Sequence, residues 1–162
     1  MRSPKRQGEA SMNQSNKEMM SRLSCEAECR NLLLRAAWFV DHNEAARLTD
    51  VFAEDATLQN PSGSLVEGHP AIVDFYSEPS ADRITRHLIT DSLFSEILDD
   101  EAFAVTSVLL WAGSEEDEIG PAGRPARGKQ ILGRFDDTFT RTESGWRIKH
   151  RLISFELFQH FD

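Results

Sequence analysis

GRFDDTFTRTESGWRIKHRLIS, residues 133–154, reads as two strands folded back on each other through a tight turn at TESGW, 142–146. Strand alternation puts Phe135, Asp137 and Phe139 on one face and Arg134, Asp136 and Thr138 on the other. The first face is apolar apart from its carboxylate, which makes Asp137 an inward acid. Upstream, 84–97 and 102–112 read as strands about a DDE turn at 99–101, and the hairpin itself extends to 130–142 and 146–159. Between the two pairs, SEEDEIGPAGRPARG (114–128) is charged, rich in Gly and Pro and aperiodic, as expected of a long exposed hairpin loop.

The first half of the chain is different. Leu23, Ala27, Leu33, Leu34, Ala37 and Trp38 fall near helical spacing, so residues 22–41 are expected to form one amphipathic helix. The polar residues before it predict a disordered tail over 1–22, leaving 23–162 as a single domain. His42, Asn43 and Glu44 break the helix, and Asn43 is placed to cap a second one over 44–53. DATLQNPSGSLVEG (55–68) gives a short strand at 56–59, a turn and a second extended piece. HPAIVDFY (69–76) restarts a helix with Pro70 in its first turn, and SEPSADR follows as a loop. Helices first and sheet second indicate an α+β domain.

Composition narrows the function classes. The 162 residues carry a net charge of −9, with residues 1–22 at +3 and the remainder at −12. An acidic body without a basic stripe opposes nucleic-acid binding. No apolar stretch approaches the ~20 residues of a membrane span, and no apolar run follows the basic N-terminal residues as in a secretory signal, so a cytoplasmic protein is expected. Cys25 and Cys29 share a helix face but lack partners for a zinc site, and read as free structural thiols. There is no glycine-rich phosphate loop, HExxH or GxSxG, and no spaced His/Cys/Asp cluster, so neither cofactor nor metal is expected.

Two residues are out of place. Asp41 follows Trp38, Ala37 and Leu34 at helical steps, which puts a carboxylate at the end of an apolar stripe. By itself it could simply bond backbone groups of the next turn. In ITRHLIT (84–90), alternation sets Thr85, His87 and Ile89 inward against Ile84, Arg86, Leu88 and Thr90, and a lone inward histidine could equally be a satisfied core residue. Together they have the chemistry of a dyad: a carboxylate that accepts one imidazole N–H leaves the other nitrogen free to take a proton. Asp137 offers a further acid/base or orienting group, or an ion pair with Arg151 across the sheet. Trp38, Phe75, Trp111 and Phe135 offer stacking surface for a flat organic substrate, or core. His69 and His160 read as exposed, and His150 could face either way.

LTDVFAEDATL (48–58), EGHPAIVDFY (67–76), TRHLIT (85–90) and the hairpin at 133–154 occur in an order and spacing similar to the SnoaL-like branch of the nuclear transport factor 2-like superfamily. That branch includes scytalone dehydratase, a dehydrochlorinase and ketosteroid isomerase relatives. The resemblance, over about residues 26–158, implies a cone: a curved mixed or antiparallel sheet wrapped around three N-terminal helices, with a pocket between them. It implies a catalytic Asp–His dyad at Asp41 and His87, acting on a small, cyclic organic substrate. The activity implied is dehydration, dehydrohalogenation or a double-bond shift without a cofactor, in a homodimer or homotrimer. Val40 stands where scytalone dehydratase has a tyrosine, and Phe135 where it has a substrate-holding asparagine, so that enzyme's own substrate is not expected. The small β subunit of ring-hydroxylating dioxygenases is a second resemblance, and implies a non-catalytic accessory role.

Overall fold

A computed structural model of the chain describes residues 4–77 and 82–161. Helix α1 spans Pro4–Asp41 and is followed by a short 3₁₀ helix, Ala45–Asp50. Strands β1 (Phe52–Gln59) and β2 (Leu65–Glu67) precede helix α2 (Gly68–Ser77). Four long strands complete the chain: β3 (Arg83–Ile97), β4 (Glu101–Ser114), β5 (Gly128–Thr142) and β6 (Gly145–Phe161). They form one six-stranded sheet in the order β2-β1-β6-β5-β4-β3. All neighbours are antiparallel except β1 and β6, which run parallel. The sheet is mixed, curved and unclosed, as expected for an α+β cone.

Bulges produce the curvature. The register shifts between Ile89 and Ser92 and between Phe94 and Glu96, where β3 carries the extra residue, and opposite Leu132/Gly133 and Thr138/Phe139 of β5, where Glu156 and Lys149 are the extra residues of β6. Each extra residue bends its strand and increases the local twist. At Gly133 an added Cβ would lie 3.0 Å from the Ser154 carbonyl oxygen, so the absence of a side chain allows the close approach of β5 and β6.

The concave face holds the core. Cys29, Leu33 and Phe39 of α1 meet Phe139 and Ile148 of the sheet, with Leu48, Phe52, Leu58 and Ile72 closing the side nearest β1. Each fully buried side chain of this size contributes roughly 1.5–3 kcal/mol.

Several sequence expectations need correction. The helix does not begin at residue 22 behind a disordered tail; it reaches back to Pro4, and residues 12–24 are exposed on it, with side-chain pairs such as Gln14 to Glu18 at 2.8 Å supporting it locally. The expected helix over 44–53 is only the 3₁₀ turn, because Val51 ends it and Phe52 and Ala53 are buried as the start of β1. Two helices and one 3₁₀ helix therefore stand where three helices were expected, and β1 and β2 come before the last of them. Of the expected SEPSADR loop, residues 78–81 lie outside the described residues.

The buried stripe of α1 also differs from the expected one. It runs through Cys25, Cys29, Leu32, Leu33, Ala36 and Phe39, while Leu23, Leu34 and Trp38 are exposed. Apolar residues stand on both sides of the true stripe, as at Leu33 and Leu34, and cysteine packs as a small hydrophobe, so periodicity alone selected a face rotated from the real one. Both cysteines are free and buried, with their sulfurs 4.0 Å apart.

Candidate active site

The end of α1 sets the geometry. Asn43 has φ 57°, the left-handed conformation. Its backbone N–H donates to the Val40 carbonyl at 3.3 Å and that of Glu44 to the Phe39 carbonyl at 2.8 Å. This is a Schellman motif, with asparagine in the position glycine most often takes. Asn43 thus terminates α1 instead of capping the next helix, and Asp41 becomes the last helical residue.

From there the Asp41 side chain reaches β3, the edge strand of the sheet. Oδ2 accepts the His87 backbone N–H at 2.7 Å, a donor that an edge strand would otherwise leave without a protein partner. Oδ1 accepts from Thr85 Oγ1 at 2.9 Å and lies 2.6 Å from His87 Nδ1. The carboxylate is 7 % exposed and the imidazole 18 %. A carboxylate can only accept, so Nδ1 carries the hydrogen and Nε2 of the neutral ring presents a lone pair. These three donors offset the unfavourable placement of a negative charge at the C-terminal end of a helix dipole. Arg86, on the outer face, donates to the Asp41 carbonyl at 3.3 Å.

His87 lines a cavity of about 410 Å³, within the size range of small-molecule sites. Val40, Phe75, Leu110, Phe135 and Ile153 make most of its wall apolar, while Asn43, Tyr76, Arg83 and Thr85 add polar groups. Under it lies a recess of about 10 Å³, shared by His87, Tyr76, Phe135 and Arg151.

Of the residues expected at the site, Asp41 and His87 come together, and Phe75 and Phe135 line the cavity. Trp38 and Trp111 do not. Trp38 is 57 % exposed and stacks on His42 with ring centroids 3.8 Å apart. Trp111 pairs with Arg86 rather than His87 in the β3–β4 register, which puts it on the outer face. Asp137 is inward but pairs with Arg151, whose Nε and Nη2 donate to its two oxygens at 2.8 and 3.0 Å. Both are buried, and the guanidinium stacks over Phe135 at 4.2 Å. Burial, the largest influence, pushes the Asp137 carboxyl above the ordinary carboxylate range, against the pull of the Arg151 charge.

Four polar residues of the site, Arg83, Thr85, Tyr76 and Arg151, are not marked as site residues by the sequence. Thr85 shares the face of His87 two positions away, a signal strand parity already carried. Tyr76 lies in the apolar run of α2, and its hydroxyl faces the Arg151 guanidinium in the recess that both line. Arg151 was considered only as a partner for Asp137. Among the other histidines, His69 is partly buried and Nε2 lies 3.0 Å from the Phe52 carbonyl, while His150 Nδ1 lies 2.6 Å from Thr57 Oγ1, away from the cavity. Among the described residues no group of three or more His, Cys, Asp or Glu could hold a metal ion, and no helix is long and apolar enough to cross a membrane.

Comparison with known proteins agrees with this architecture. No curated protein matches the chain. Among solved structures, a candidate scytalone dehydratase from Novosphingobium aromaticivorans DSM 12444 is 16% identical, with a TM-score of 0.74 over 89% of this chain and 92% of that one. A type 2 hexachlorocyclohexane dehydrochlorinase, LinA, is 17% identical, with a TM-score of 0.72 over 88% and 96%. A candidate aromatic ring hydroxylase from Novosphingobium aromaticivorans is 20% identical, with a TM-score of 0.67 over 86% and 94%. At such identities the likeness is one of fold, that of nuclear transport factor 2-like, cystatin-like proteins. Residues 21–152 match the model of the SnoaL-like domain, and the chain belongs to that family.

Proposed function

We propose that the protein is a cofactor-independent lyase or isomerase acting on a small, cyclic organic substrate, with His87 as the proton-transfer base and Asp41 as its orienting partner. One observation carries this reading: Asp41 Oδ1 lies 2.6 Å from His87 Nδ1 at the wall of a largely apolar cavity. The carboxylate fixes the tautomer that leaves Nε2 as an acceptor and stabilises the imidazolium once a proton arrives. A proton next to a carbonyl or leaving group passes to Nε2. The freed electron pair then expels halide, or expels a hydroxyl that takes the proton back from the imidazolium and leaves as water, or shifts a double bond. The apolar wall excludes water and strengthens the electrostatics of the dyad.

A screen of hydroxylated cyclic ketones tests the proposal. Turnover by the wild type, with His87→Ala and Asp41→Asn each losing about 10²–10⁴-fold in kcat while retaining the native circular dichroism spectrum, is the expected result. Full activity in either variant overturns it.

A second reading, a non-catalytic binding module or accessory subunit, has one feature in its favour. Leu88, Leu109, Leu132 and Leu157 pair in register across four neighbouring strands on the outer face, and Leu88 and Leu157 are exposed. Such an apolar row suits a covered face. A larger subunit that co-purifies stably, together with no turnover in the screen, would favour this reading.

A further inference from the structure

We infer that Tyr76 is a second catalytic residue, the hydrogen-bond donor that holds the substrate oxygen on which negative charge develops while His87 removes a proton. This rests on the reading of His87 as the base and deepens it.

The argument is an accounting of donors and acceptors. Tyr76 closes α2, and its side chain lines both the main cavity and the recess beneath, as does His87. Its hydroxyl faces the guanidinium of Arg151, which lines the same recess. Arginine carries donors only, so toward Arg151 the phenolic oxygen accepts, and its own hydrogen remains to be donated. Asp137 is the carboxylate whose charge acts on Tyr76, but no hydrogen bond joins the two, and the oxygens of Asp137 accept from Arg151. Among the described residues no protein acceptor takes the Tyr76 hydrogen, and the open space next to it is the recess, with room for about one water-sized group. Burial pushes the phenol above its ordinary range, which keeps the hydrogen in place. Arg151, anchored by Asp137, is the positioning residue: it orients the oxygen and polarises the O–H bond.

The floor of the cavity therefore presents one acceptor, His87 Nε2, and one donor, Tyr76 O–H. The complementary substrate is an enolisable ketone on an apolar ring. His87 takes the α-proton, the C–H pair becomes a C=C bond, and the carbonyl pair moves onto the oxygen that Tyr76 holds. Return of that pair expels a β-hydroxyl, which accepts the proton of the imidazolium and leaves as water. Where no leaving group is present, reprotonation at a different carbon moves the double bond.

Exchange of the α-hydrogens of 2-tetralone in D₂O, followed by NMR, isolates the first step and needs no knowledge of the natural substrate. The wild type is expected to accelerate exchange and His87→Ala to abolish the acceleration. Tyr76→Phe, which keeps the ring, is expected to lower the rate at saturation by about 10²–10³-fold, the cost of one lost oxyanion donor, with half-saturation changed less than the rate. Acceleration that disappears in His87→Ala but persists within twofold in Tyr76→Phe overturns the role of Tyr76 and leaves that of His87 standing. Acceleration that survives His87→Ala, or that the wild type never shows, overturns both. Because Tyr76→Phe also removes a partner from Arg151, 2-naphthol emission gives a second measure on folded protein. The bound naphtholate signal is expected in the wild type and lost in Tyr76→Phe, and its retention in that variant contradicts the proposal.

Discussion

At Asp41 a negative charge sits at the end of a helix whose dipole disfavours it, and three donors from two residues of one strand hold it there. Thr85 is the least conspicuous of the partners. Thr85→Val removes a hydroxyl and little volume, and is expected to lower activity in the ketone screen while His87→Ala abolishes it. Asp137 plays the contrasting part of a buried acid held in a structural pair. Asp137→Ala would leave the Arg151 charge buried without its partner, and urea unfolding is expected to show a loss of about 3–5 kcal/mol. Unchanged stability would mean that Arg151 finds water. Parity placed His87, Thr85 and Asp137 correctly from the sequence, because a strand has only two faces. Whether an inward acid is a catalyst or half of an ion pair depends on a residue fourteen positions away, and alternation cannot decide that.

At the scale of elements, the C-terminal turn of α1 matters most. Asn43 adopts φ 57°, so Asn43→Gly should leave thermal stability unchanged or slightly raised, whereas Asn43→Val should cost roughly 1–2 kcal/mol. Equal melting temperatures for the two variants would argue against the Schellman turn. In the same helix, burial pushes the Cys25 and Cys29 thiols up, which disfavours the thiolate. Iodoacetamide should label both readily in denaturant and very slowly in the native protein. The elements themselves were largely legible: β3 to β6 and α2 follow from alternation, turn residues and the proline at the start of a helix. The face of α1 was not. A helix can be rotated by one residue without losing its apolar count when leucines stand side by side, and only contact with the sheet selects among the alternatives. Asp41 was thus identified on a stripe that is exposed, yet its position at the helix end still brings it to β3. Trp38 and Trp111 failed as site residues for related reasons: size marks a side chain as apolar surface but not as facing a particular cavity.

For the whole molecule, the curved sheet gathers residues from the helix end, α2 and four strands around one cavity, and leaves an apolar row on its convex side. That row is expected to be covered by a second or third copy of the chain. Sedimentation equilibrium should give two or three times the 18.3 kDa chain mass, and Leu109→Glu with Leu157→Glu should shift it toward the single chain. A monomer at high concentration would refute the assembly. The family was legible in the order of four short segments, since a cone needs those elements in that sequence. The floor of the cavity was not, because Tyr76, Arg151 and His87 come from a helix and two strands and meet only through the fold. All of these elements converge on a single nitrogen, and the tautomer of His87 tests the account most directly. Long-range ¹H–¹⁵N correlation spectra of the neutral imidazole should show Nδ1 protonated and Nε2 bare, with the preference lost in Asp41→Ala. A hydrogen on Nε2 would leave the cavity without its base and contradict the account.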